Sequence, residues 1–276
     1  MSKIKLTCSI VVFNNNENTL KTAIESILSI RLPIKLFIVD NSPTRALEPL
    51  CSNYDLEYHF VGKNLGFGKA HNLIIDKVKH DIKGFHLIMN PDISFNENII
   101  EDLFSFIDDN ENIGLVMPKI LNSDGSIQYN CKLLPTPIDM ITRRFLKFLP
   151  ILVEKRNHKY EMRFTGYNEI MEVPFLSGCF MLVRNEVFQK VGGFDERFFL
   201  YAEDIDLSRR IHQQYQTVFY PYVEVYHHRE KSKVSSWILL YHLTANVTRY
   251  FNKWGWFKDE ERDTINKKIT TKTFIH

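Results

Sequence analysis

LTCSIVVFNNNENTLKTAIESIL, at residues 6–28, joins a short apolar run to a segment of helical period. The run 6–13 has no alternation of apolar and polar residues, and it stops abruptly at Asn14. The apolar side chains beyond it have the three- and four-residue spacing of one helix face: Leu20, Ala23, Ile24, Ile27 and Leu28. The stretch therefore predicts a buried strand followed by an amphipathic helix.

The same kind of unit recurs through the first half of the chain. Apolar runs at 35–39, 57–61 and 85–89 each end in a polar cluster, and segments of helical spacing follow the last two. Strands that are apolar on both faces and joined by helices form parallel sheets with both faces covered. The sequence therefore predicts an α/β fold with a Rossmann-like, mostly parallel central sheet flanked by helices.

Polar residues follow these predicted strands where each one ends. They are Asp40, Asn41, Asn64, Asn90 and Asp92, with Pro91 between the last two. Ligands of open α/β sheets bind at the carboxyl ends of the strands, so these residues are candidates for a binding site. Asp and Asn also begin turns and cap helices, which gives each of them a purely structural explanation as well.

The pattern changes after the apolar run at 113–117. Asp124–Gly125 predicts a hairpin turn, and the basic apolar stretch 143–156 indicates either a mobile flap or a surface-seeking helix. Regular structure resumes at 174–184, and a short helix that is capped by Asn185 and stopped by Gly192–Gly193 should follow.

Composition and charge narrow the class of protein. A formal net charge of +2 over 276 residues is too small for a nucleic-acid binder, which needs a concentrated basic face. The four cysteines are scattered and make no C-x-x-C pair, which favours free thiols in a reducing compartment. Neither a signal-peptide core nor an apolar run of roughly 18 residues is present. We expect a cytoplasmic protein that meets a membrane only at its surface.

Two groups of residues have the chemistry of a catalytic site. Glu203, Asp204 and Asp206 begin a predicted helix beside the aromatic run 198–201. The helix dipole alone favours acids in a first turn, but a partly desolvated carboxylate also makes a good general base. Asp92 and the pair His227–His228 could share one divalent metal, with diphosphate oxygens and water as its other ligands.

The ordered motifs resemble those of a known family. They are VVFNNNENTL, VDNSP, NLGFGKAHN, MNPDI, FLSGCFMLVRNEVFQKVGGFDERFFLYAEDIDLSRR and HHREKS. Together they resemble inverting family-two glycosyltransferases of the GT-A fold over nearly the whole chain. Within that family the sequence looks most like the bacterial rhamnosyltransferases of cell-surface polysaccharide assembly, such as those that build O-antigen.

The resemblance implies a role for particular residues. Asp204 matches the catalytic base, and Asp92 matches the metal-binding carboxylate, although Asn90 stands where the family often has an acid. His227 is preferred to His228 as a further metal or diphosphate contact because of its distance to Ser232. The implied donor-binding residues are Phe13, Asn14, Asp40, Asn41, Asn64, Gly66, Phe67, Asn90 and Pro91. The implied acceptor-binding or supporting residues are Gly178, Glu203, Asp206 and Arg209.

The resemblance also implies an activity, which is metal-dependent transfer of a sugar with inversion. We expect Mg²⁺ or Mn²⁺ as cofactor, and L-rhamnose from dTDP-rhamnose as the donor sugar, moved to a lipid-linked or oligosaccharide acceptor. Galactose, glucose, galactofuranose or fucose donors are alternatives. A sugar nucleotidylyltransferase is another alternative. Such an enzyme should carry a glycine-rich basic loop where this chain reads NNNENTL, which argues against it. A non-catalytic glycan-binding protein that retains the fold is the remaining alternative.

The expected organisation is a GT-A catalytic domain over 1–232 and an amphipathic helical tail over 233–276. Residues 1–117 would form the nucleotide-sugar-binding half, and 118–232 the acceptor-binding and catalytic half. The tail combines an apolar stripe with basic residues. It is consistent either with a helix packed on the core or with an interfacial helix on anionic lipid. It could equally bury against a second subunit in a homo-oligomer.

Overall fold

The computed structural model describes residues 6–81, 83–96, 98–145, 148–229 and 235–275. The strands are β1 (Leu6–Val12), β2 (Ile34–Asp40), β3 (Glu57–Phe60), β4 (Phe85–Met89), β5 (Ile93–Ser94), β6 (Ile113–Leu121), β7 (Cys131–Lys132), β8 (Met171–Glu172), β9 (Phe175–Leu176), β10 (Phe180–Arg184) and β11 (Gln216–His227). The helices are α1 (Glu17–Leu28), α2 (Glu48–Cys51), α3 (Phe67–Val78), α4 (Ile99–Asp109), α5 (Pro137–Phe145), α6 (Pro150–Tyr160), α7 (Asn185–Val191), α8 (Glu203–His212), α9 (Ser236–Trp254) and α10 (Glu260–Thr271).

One large sheet organises the molecule. Within the described ranges it has nine strands in the order β3-β2-β1-β4-β10-β6-β11-β5, with β8 paired to β11. Strands β1 to β4 pair in parallel, as do β6 and β11, whereas β10 is antiparallel to both β4 and β6. The predicted α/β fold, with a mostly parallel central sheet flanked by helices and a C-terminal helical tail, is confirmed.

The predicted strand–helix units lie where the apolar runs placed them. All five residues of β4 are buried, as expected for a central strand covered on both faces. On α1 the buried apolar side chains are those of the predicted face, with only Leu28 partly exposed. On α3, by contrast, Leu73 is exposed.

Pairing at the far edge of the sheet brings distant segments together. β5 follows β4 after three residues and pairs antiparallel with the end of β11, so that Ile93 lies opposite His227. The main-chain N–H of His228 donates to the main-chain oxygen of Asp92, at 2.8 Å. The residue after Pro91 and the end of β11 are therefore neighbours, although they are far apart in sequence.

The segment that the sequence left least defined forms two helices. The predicted flap or helix at 143–156 is divided between the end of α5 and most of α6, and residues 146–147 between them lie outside the described part. The prediction that Asn185 caps α7 is wrong. Asn185 is the first residue of that helix, and its side-chain amide donates instead to the main-chain oxygens of Val78 and Asp81.

The C-terminal segment packs on the rest of the protein. Tyr250 and Phe251 of α9 are buried in a small apolar cluster with Phe175, Phe198 and Ile205. The chain then returns to the sheet edge, where Phe274 and Met171 form an isolated antiparallel β-bridge. The predicted boundary at 232 lies outside the described residues. None of the helices that are described is long and apolar enough to span a bilayer.

Candidate active site

Two consecutive residues, Gly178 and Cys179, connect the parts of the predicted site. The main-chain N–H of Gly178 donates to Oδ2 of Asp204 at 3.1 Å. The main-chain oxygen of Cys179 accepts from the N–H of Asn90 at 2.9 Å. Because neighbouring Cα atoms are only about 3.8 Å apart, the first turn of α8 and the carboxyl end of β4 meet at this dipeptide.

Asp92 and His227 form a close pair beside the same dipeptide. Oδ1 of Asp92 lies 3.2 Å from Nε2 of His227. The other ring nitrogen of His227 lies 3.0 Å from Oε1 of Gln128, whose amide also donates to the main-chain oxygen of His227. Burial alone would lower the pKa of His227, but hydrogen bonds with Asp92 and Cys179 raise it to about 9.

His228 does not face Asp92 with its ring. Its Nε2 lies 2.7 Å from Oγ of Ser94, and its Nδ1 lies 2.8 Å from Oγ of Ser123. Of the two histidines at the end of β11, only His227 has its imidazole beside the carboxylate.

Asp204 lies at the start of α8 in a half-buried position. Its Oδ1 accepts from the N–H of Ile205 at 2.9 Å, and its Oδ2 accepts from Gly178. Burial raises the pKa of Asp204, and the Gly178 hydrogen bond offsets part of that rise. A carboxylate oxygen has more than one lone pair, so both oxygens can still accept a proton.

Glycine at position 178 is required by the closeness of this packing. A Cβ atom there would lie 3.2 Å from Cβ of Asp204 and 3.3 Å from Cε1 of Phe67. A larger residue would therefore require α8 and the ring of Phe67, at the start of α3, to move apart. This geometry favours a packing role for Gly178, whose predicted acceptor contact stays a prediction.

The chain enters α8 through an unusual backbone conformation. Tyr201 and Ala202 have φ values of 72° and 69°, in the left-handed region that non-glycine residues rarely adopt. Such residues cost about 1–2 kcal/mol each, and they cluster at functional sites. After these two left-handed residues, α8 begins at Glu203. The acidic first turn of α8 then lies against Gly178.

Glu203 is almost completely buried beside Asp204. Its Oε2 has no hydrogen-bond partner among the described residues. Burial, and then the charge of Asp204, raise the pKa of Glu203 well above the usual range of a glutamate. Such a carboxyl group is most stable with its proton on, because an ionised form would be neither hydrated nor paired.

Asp206 and Arg209 project toward the C-terminal helices. Asp206 pairs with Arg210 at 2.8 Å and with Lys253 at 2.6 Å, and it accepts from the indole N–H of Trp254. These contacts favour support of α8 over acceptor binding, which no contact of Asp206 suggests.

Arg209 is buried and clamps the chain that follows α9. Its guanidinium makes two 2.7 Å hydrogen bonds to the two oxygens of Asp259. It also pairs with Glu261 at 2.6 Å and lies over the ring of Trp254. Arg209 therefore holds the C-terminal helices against α8.

The predicted donor residues of the first two strand ends lie in one hydrogen-bonded group. Asp40 is fully buried, and its oxygens accept from the N–H of Ser42 and the hydroxyl of Tyr58. The N–H of Asn14 donates to Oγ of Ser42 at 2.9 Å, and Phe13 is the residue immediately before Asn14. Asn41 donates to the main-chain oxygen of Gly66, which links this group to the next loop.

The loop before α3 joins the donor residues to α8. Oδ1 of Asn64 accepts from the N–H of Gly66, and Gly66 has a φ of 83°. A Cβ atom on Gly66 would overlap the main-chain oxygen of Phe199, which accepts from the N–H of Phe67. Pro91 lies between Asn90 and Asp92 and is half-buried. All the predicted residues thus occur on one edge of the sheet or on the helix that faces it.

Sequence reasoning missed three residues of this arrangement. Cys179 lies inside a quoted motif, but a lone cysteine gave no reason to place it beside His227. Gln128 and Lys132 lie near a hairpin turn with no distinctive spacing. Lys132 has an electrostatic effect on the pKa of Asp204, which it lowers.

The chain was compared with known families and proteins. Residues 8–192 match the family model described as glycosyl transferase family 2. The chain is 25% identical over 266 residues to an N-acetylglucosaminyl-diphospho-decaprenol L-rhamnosyltransferase of Mycobacterium tuberculosis, covering 90% of this chain and 85% of the relative. It is also 25% identical to rhamnosyltransferase WbbL of Escherichia coli K12, covering 73% of this chain and 75% of that protein.

A solved structure has a similar fold. The crystal structure of GalNAc-T7 with UDP, GalNAc and Mn²⁺ superposes with a TM-score of 0.64 at 16% identity. The match covers 94% of this chain and 49% of that one, so this chain spans about half the length of the solved protein. At this level of identity the similarity concerns the fold alone.

Proposed function

This chain belongs to glycosyl transferase family 2, and we propose that it moves a sugar from a nucleoside diphosphate to an acceptor hydroxyl with inversion. The proposal depends most on the dipeptide Gly178–Cys179. It binds Asp204 on one side and the strand end that leads to Asp92 on the other. These hydrogen bonds support the proposal that the predicted base and the predicted diphosphate-side residues face one space.

In the proposed reaction Asp204 is the general base. It accepts the proton of the acceptor hydroxyl while the oxygen of that hydroxyl bonds to the anomeric carbon. The bond from that carbon to the donor diphosphate breaks on the opposite face, so the configuration inverts. The raised pKa of Asp204 supports this role, because a carboxylate with a higher proton affinity is a stronger base.

A divalent metal fits the residues at the other side of the space. No three His, Cys, Asp or Glu side chains in the described ranges cluster around a metal-sized space. Asp92 and His227 nevertheless offer one carboxylate and one imidazole 3.2 Å apart. Carboxylates, phosphate oxygens and water suit both Mg²⁺ and Mn²⁺, and the ion would displace the proton of the imidazole if His227 also became a ligand. When bound, the ion would neutralise charge that develops on the departing diphosphate.

Asn41 supports a donor pocket at the strand ends. Its side chain is buried, and its Oδ1 has no hydrogen-bond partner among the described residues. An unsatisfied buried acceptor costs about 1–3 kcal/mol, which a hydroxyl or N–H of a bound ligand can recover. We propose that the nucleoside supplies this donor, beside Asp40 and Asn14.

L-rhamnose from dTDP-rhamnose is the proposed donor sugar, with galactose, glucose, galactofuranose and fucose donors as alternatives. The names of the two curated relatives both specify rhamnosyl transfer. The name of the first also specifies a diphosphate-linked lipid that carries N-acetylglucosamine, which we propose as the acceptor class here.

A lipid-linked acceptor requires access to a membrane surface, and two exposed apolar regions support this. One is the α5–α6 region, where Phe148 and Ile151 are 72% and 86% exposed beside basic residues of α6. The other is the start of α9, where Trp237 and Tyr241 are 81% and 69% exposed. We propose that both lie on an anionic lipid surface.

Vesicle flotation tests this membrane role. Truncation near Ser232 would remove Trp254, which contacts Asp206 of α8, and Asp259, which pairs with Arg209 of α8. Substitution of exposed residues keeps these contacts, so it is the sharper test. Phe148→Ser with Ile151→Ser should reduce flotation with phosphatidylglycerol vesicles, whereas Leu73→Ser, at an exposed site on α3, should not. Equal flotation of both variants would contradict the proposal. A change in the molar mass in solution would instead assign the exposed residues to a second copy of the chain.

Donor-dependent release of nucleoside diphosphate tests the function itself. The wild-type protein should release dTDP from dTDP-rhamnose in the presence of an N-acetylglucosaminyl-diphospho-lipid and Mn²⁺ or Mg²⁺, and EDTA should abolish release. Asp92→Asn should require much more metal for half-maximal activity. Binding of acceptor without release from any donor tested would favour a glycan-binding protein, and pyrophosphate formation from dTTP and sugar phosphate would favour a nucleotidylyltransferase.

A further inference from the structure

A polar cavity of about 240 Å³ opens beside the candidate active site. Four basic side chains line it: Lys132, Arg143, Arg163 and Arg229. Sites for whole drug-sized ligands usually measure about 300–1,000 Å³, so this cavity suits one small group of a larger substrate. Glu161 also lines it, so the lining carries four basic side chains and one carboxylate, and this net positive charge suits an anion.

The cavity shares its wall with the catalytic residues. Gln128 lines it and also contacts the ring of His227. Asn130 lines it and contacts Sγ of Cys179, the residue next to Gly178. An occupant of the cavity is therefore separated from the ring of His227 by the side chain of Gln128, and from Cys179, the neighbour of Gly178, by the side chain of Asn130.

Two of the four cations lack a carboxylate partner among the residues described. Arg143 pairs with Glu161 at 2.6 Å, and Arg163 pairs with Glu161 and Glu154. Lys132 and Arg229 have no such pair in the described part of the chain. Loss of solvent, and then the charge of Arg143, lower the pKa of the Lys132 ammonium. An anion in the cavity would relieve the cost of holding these charges together.

We propose that this cavity binds the phosphate groups of the acceptor, which places the first acceptor sugar against Asp204. The inference extends the proposed function, because it assumes that the acceptor sugar is attached through a diphosphate. Guanidinium and ammonium groups bind phosphate oxygens by charge-assisted hydrogen bonds, and arginine can do so with two parallel bonds. A diphosphate diester has one ionised oxygen on each phosphate, which matches the two cations without carboxylate partners.

The position of the cavity favours the acceptor over the donor. Its wall residues all lie between positions 122 and 229, and none comes from the ends of β1, β2 or β3, where the donor residues lie. Lys132 acts electrostatically on Asp204, which must touch the acceptor hydroxyl. Arg143 belongs to α5, which leads into the exposed apolar α5–α6 region. The lipid, the diphosphate and the sugar would thus lie in order from that region to Asp204.

Kinetics with two matched acceptors test the proposal. One is N-acetylglucosaminyl-diphospho-undecane, and the other is undecyl N-acetylglucosaminide, which lacks the diphosphate. Lys132→Gln should raise the KM for the first acceptor about tenfold or more, because the variant loses a charge-assisted contact with a phosphate oxygen. The KM for the neutral glycoside and the KM for the sugar nucleotide should not change. Arg229→Gln is a second variant at an exposed position, with little risk to folding.

Lys83→Gln is the matched control. Lys83 is an exposed lysine just before β4, at the opposite end of that strand from Asn90, and its replacement should change neither KM. A rise in the donor KM with Lys132→Gln would assign the cavity to the donor diphosphate and overturn the proposal. Equal rises for both acceptors would also overturn it.

Direct binding separates this inference from the proposed function. Titration calorimetry with inorganic pyrophosphate, in EDTA, should give a dissociation constant about tenfold higher for Lys132→Gln than for wild type or Lys83→Gln. That result with no detectable sugar transfer would leave the anion site intact and defeat the transferase proposal. Equal pyrophosphate affinity in all three proteins would defeat the anion site, whatever the enzyme transfers.

Discussion

The two faces of helix α8 carry carboxylates with opposite surroundings. On the face toward Gly178, Glu203 and Asp204 form no ion pair with any residue that the structure describes, and their pKa values are raised by burial. On the face toward the C-terminal helices, Asp206 is held by Arg210, Lys253 and Trp254. Residues only two positions apart therefore differ in whether their charge is compensated.

We expect this difference to distinguish the carboxylate with a catalytic role from the carboxylate that stabilises the fold. A carboxylate surrounded by cations binds protons weakly and contributes to stability, whereas an uncompensated one binds protons more strongly at a cost in stability. Arg209 belongs with the support face, because its guanidinium is saturated by Asp259 and Glu261. Five experiments, from the largest expected effect to the smallest, test whether the two faces have these separate roles.

The largest effect should come from Asp204→Asn on the uncompensated face. The substitution keeps the shape of the side chain but removes the proton acceptor, so kcat should fall by about 10²- to 10⁴-fold. Donor binding should be retained in a thermal-shift titration. Turnover close to that of wild type would refute the assignment of the base.

Asp206→Asn is the matched change on the opposite face. It should lower the midpoint of thermal unfolding, because Lys253 and Arg210 would lose a buried ionic partner. Below that midpoint its kcat should stay within a fewfold of wild type. A large loss of kcat without loss of stability would mean that the two faces are not separate in role.

Arg209→Gln should cause the largest loss of stability. The change leaves Asp259 buried without its two guanidinium hydrogen bonds, and breaking one partner of a buried pair costs about 3–5 kcal/mol. Urea denaturation followed by circular dichroism measures this loss. Arg197→Gln removes an exposed partner of Asp195, which keeps its pair with Lys253, so it should cost less than about 1 kcal/mol. Equal losses of stability in the two variants would contradict the role of Arg209 in holding the C-terminal helices.

The pH dependence of kcat/KM should report the raised pKa of Asp204. Only the ionised carboxylate accepts a proton, so activity should fall about tenfold per pH unit below that pKa. Burial raises this pKa, so the fall should begin above the range of an exposed aspartate. A profile that stays flat down to about pH 4 would show that another group limits the reaction.

Glu203→Gln should have the smallest effect, a gain in stability. The folded-state pKa of Glu203 is above its unfolded value, so its favourable contribution is complete below the unfolded pKa and is lost as pH rises through the folded one. Glutamine does not titrate. The variant should therefore unfold a few degrees higher than wild type near pH 8 but not below about pH 4. A lower midpoint near pH 8 would contradict a neutral Glu203.

Much of the α/β framework followed from local pattern. The apolar runs at 6–13, 35–39 and 85–89 gave strands because only a sheet covered on both faces buries such runs. Asn185 failed as a predicted cap, because tertiary contacts with Val78 and Asp81 engage the side chain that a cap would use.

The candidate site was predictable to a similar degree. The sequence singled out Asp92, the acids at the start of α8 and the pair His227–His228, because carboxylates and histidines at strand or helix ends are chemically distinctive. The family resemblance then selected Asp204 and His227, whose roles stay predictions. Gln128, Lys132 and Cys179 were not found, because their importance depends on which side chains lie beside them after folding. Asp206 and Arg209 were assigned to the same helix as the base, but their direction could not be read from spacing alone.

The sequence by itself determined the α/β class and the kinds of chemical group available, because both depend on local periodicity and residue type. Only the tertiary structure decided that β10 enters the sheet beside β4, so that Gly178–Cys179 meets Asn90 and Asp204. It also decided which acids of α8 are paired with cations. Burial and charge compensation arise from contacts between segments distant in sequence, so no local pattern contains them.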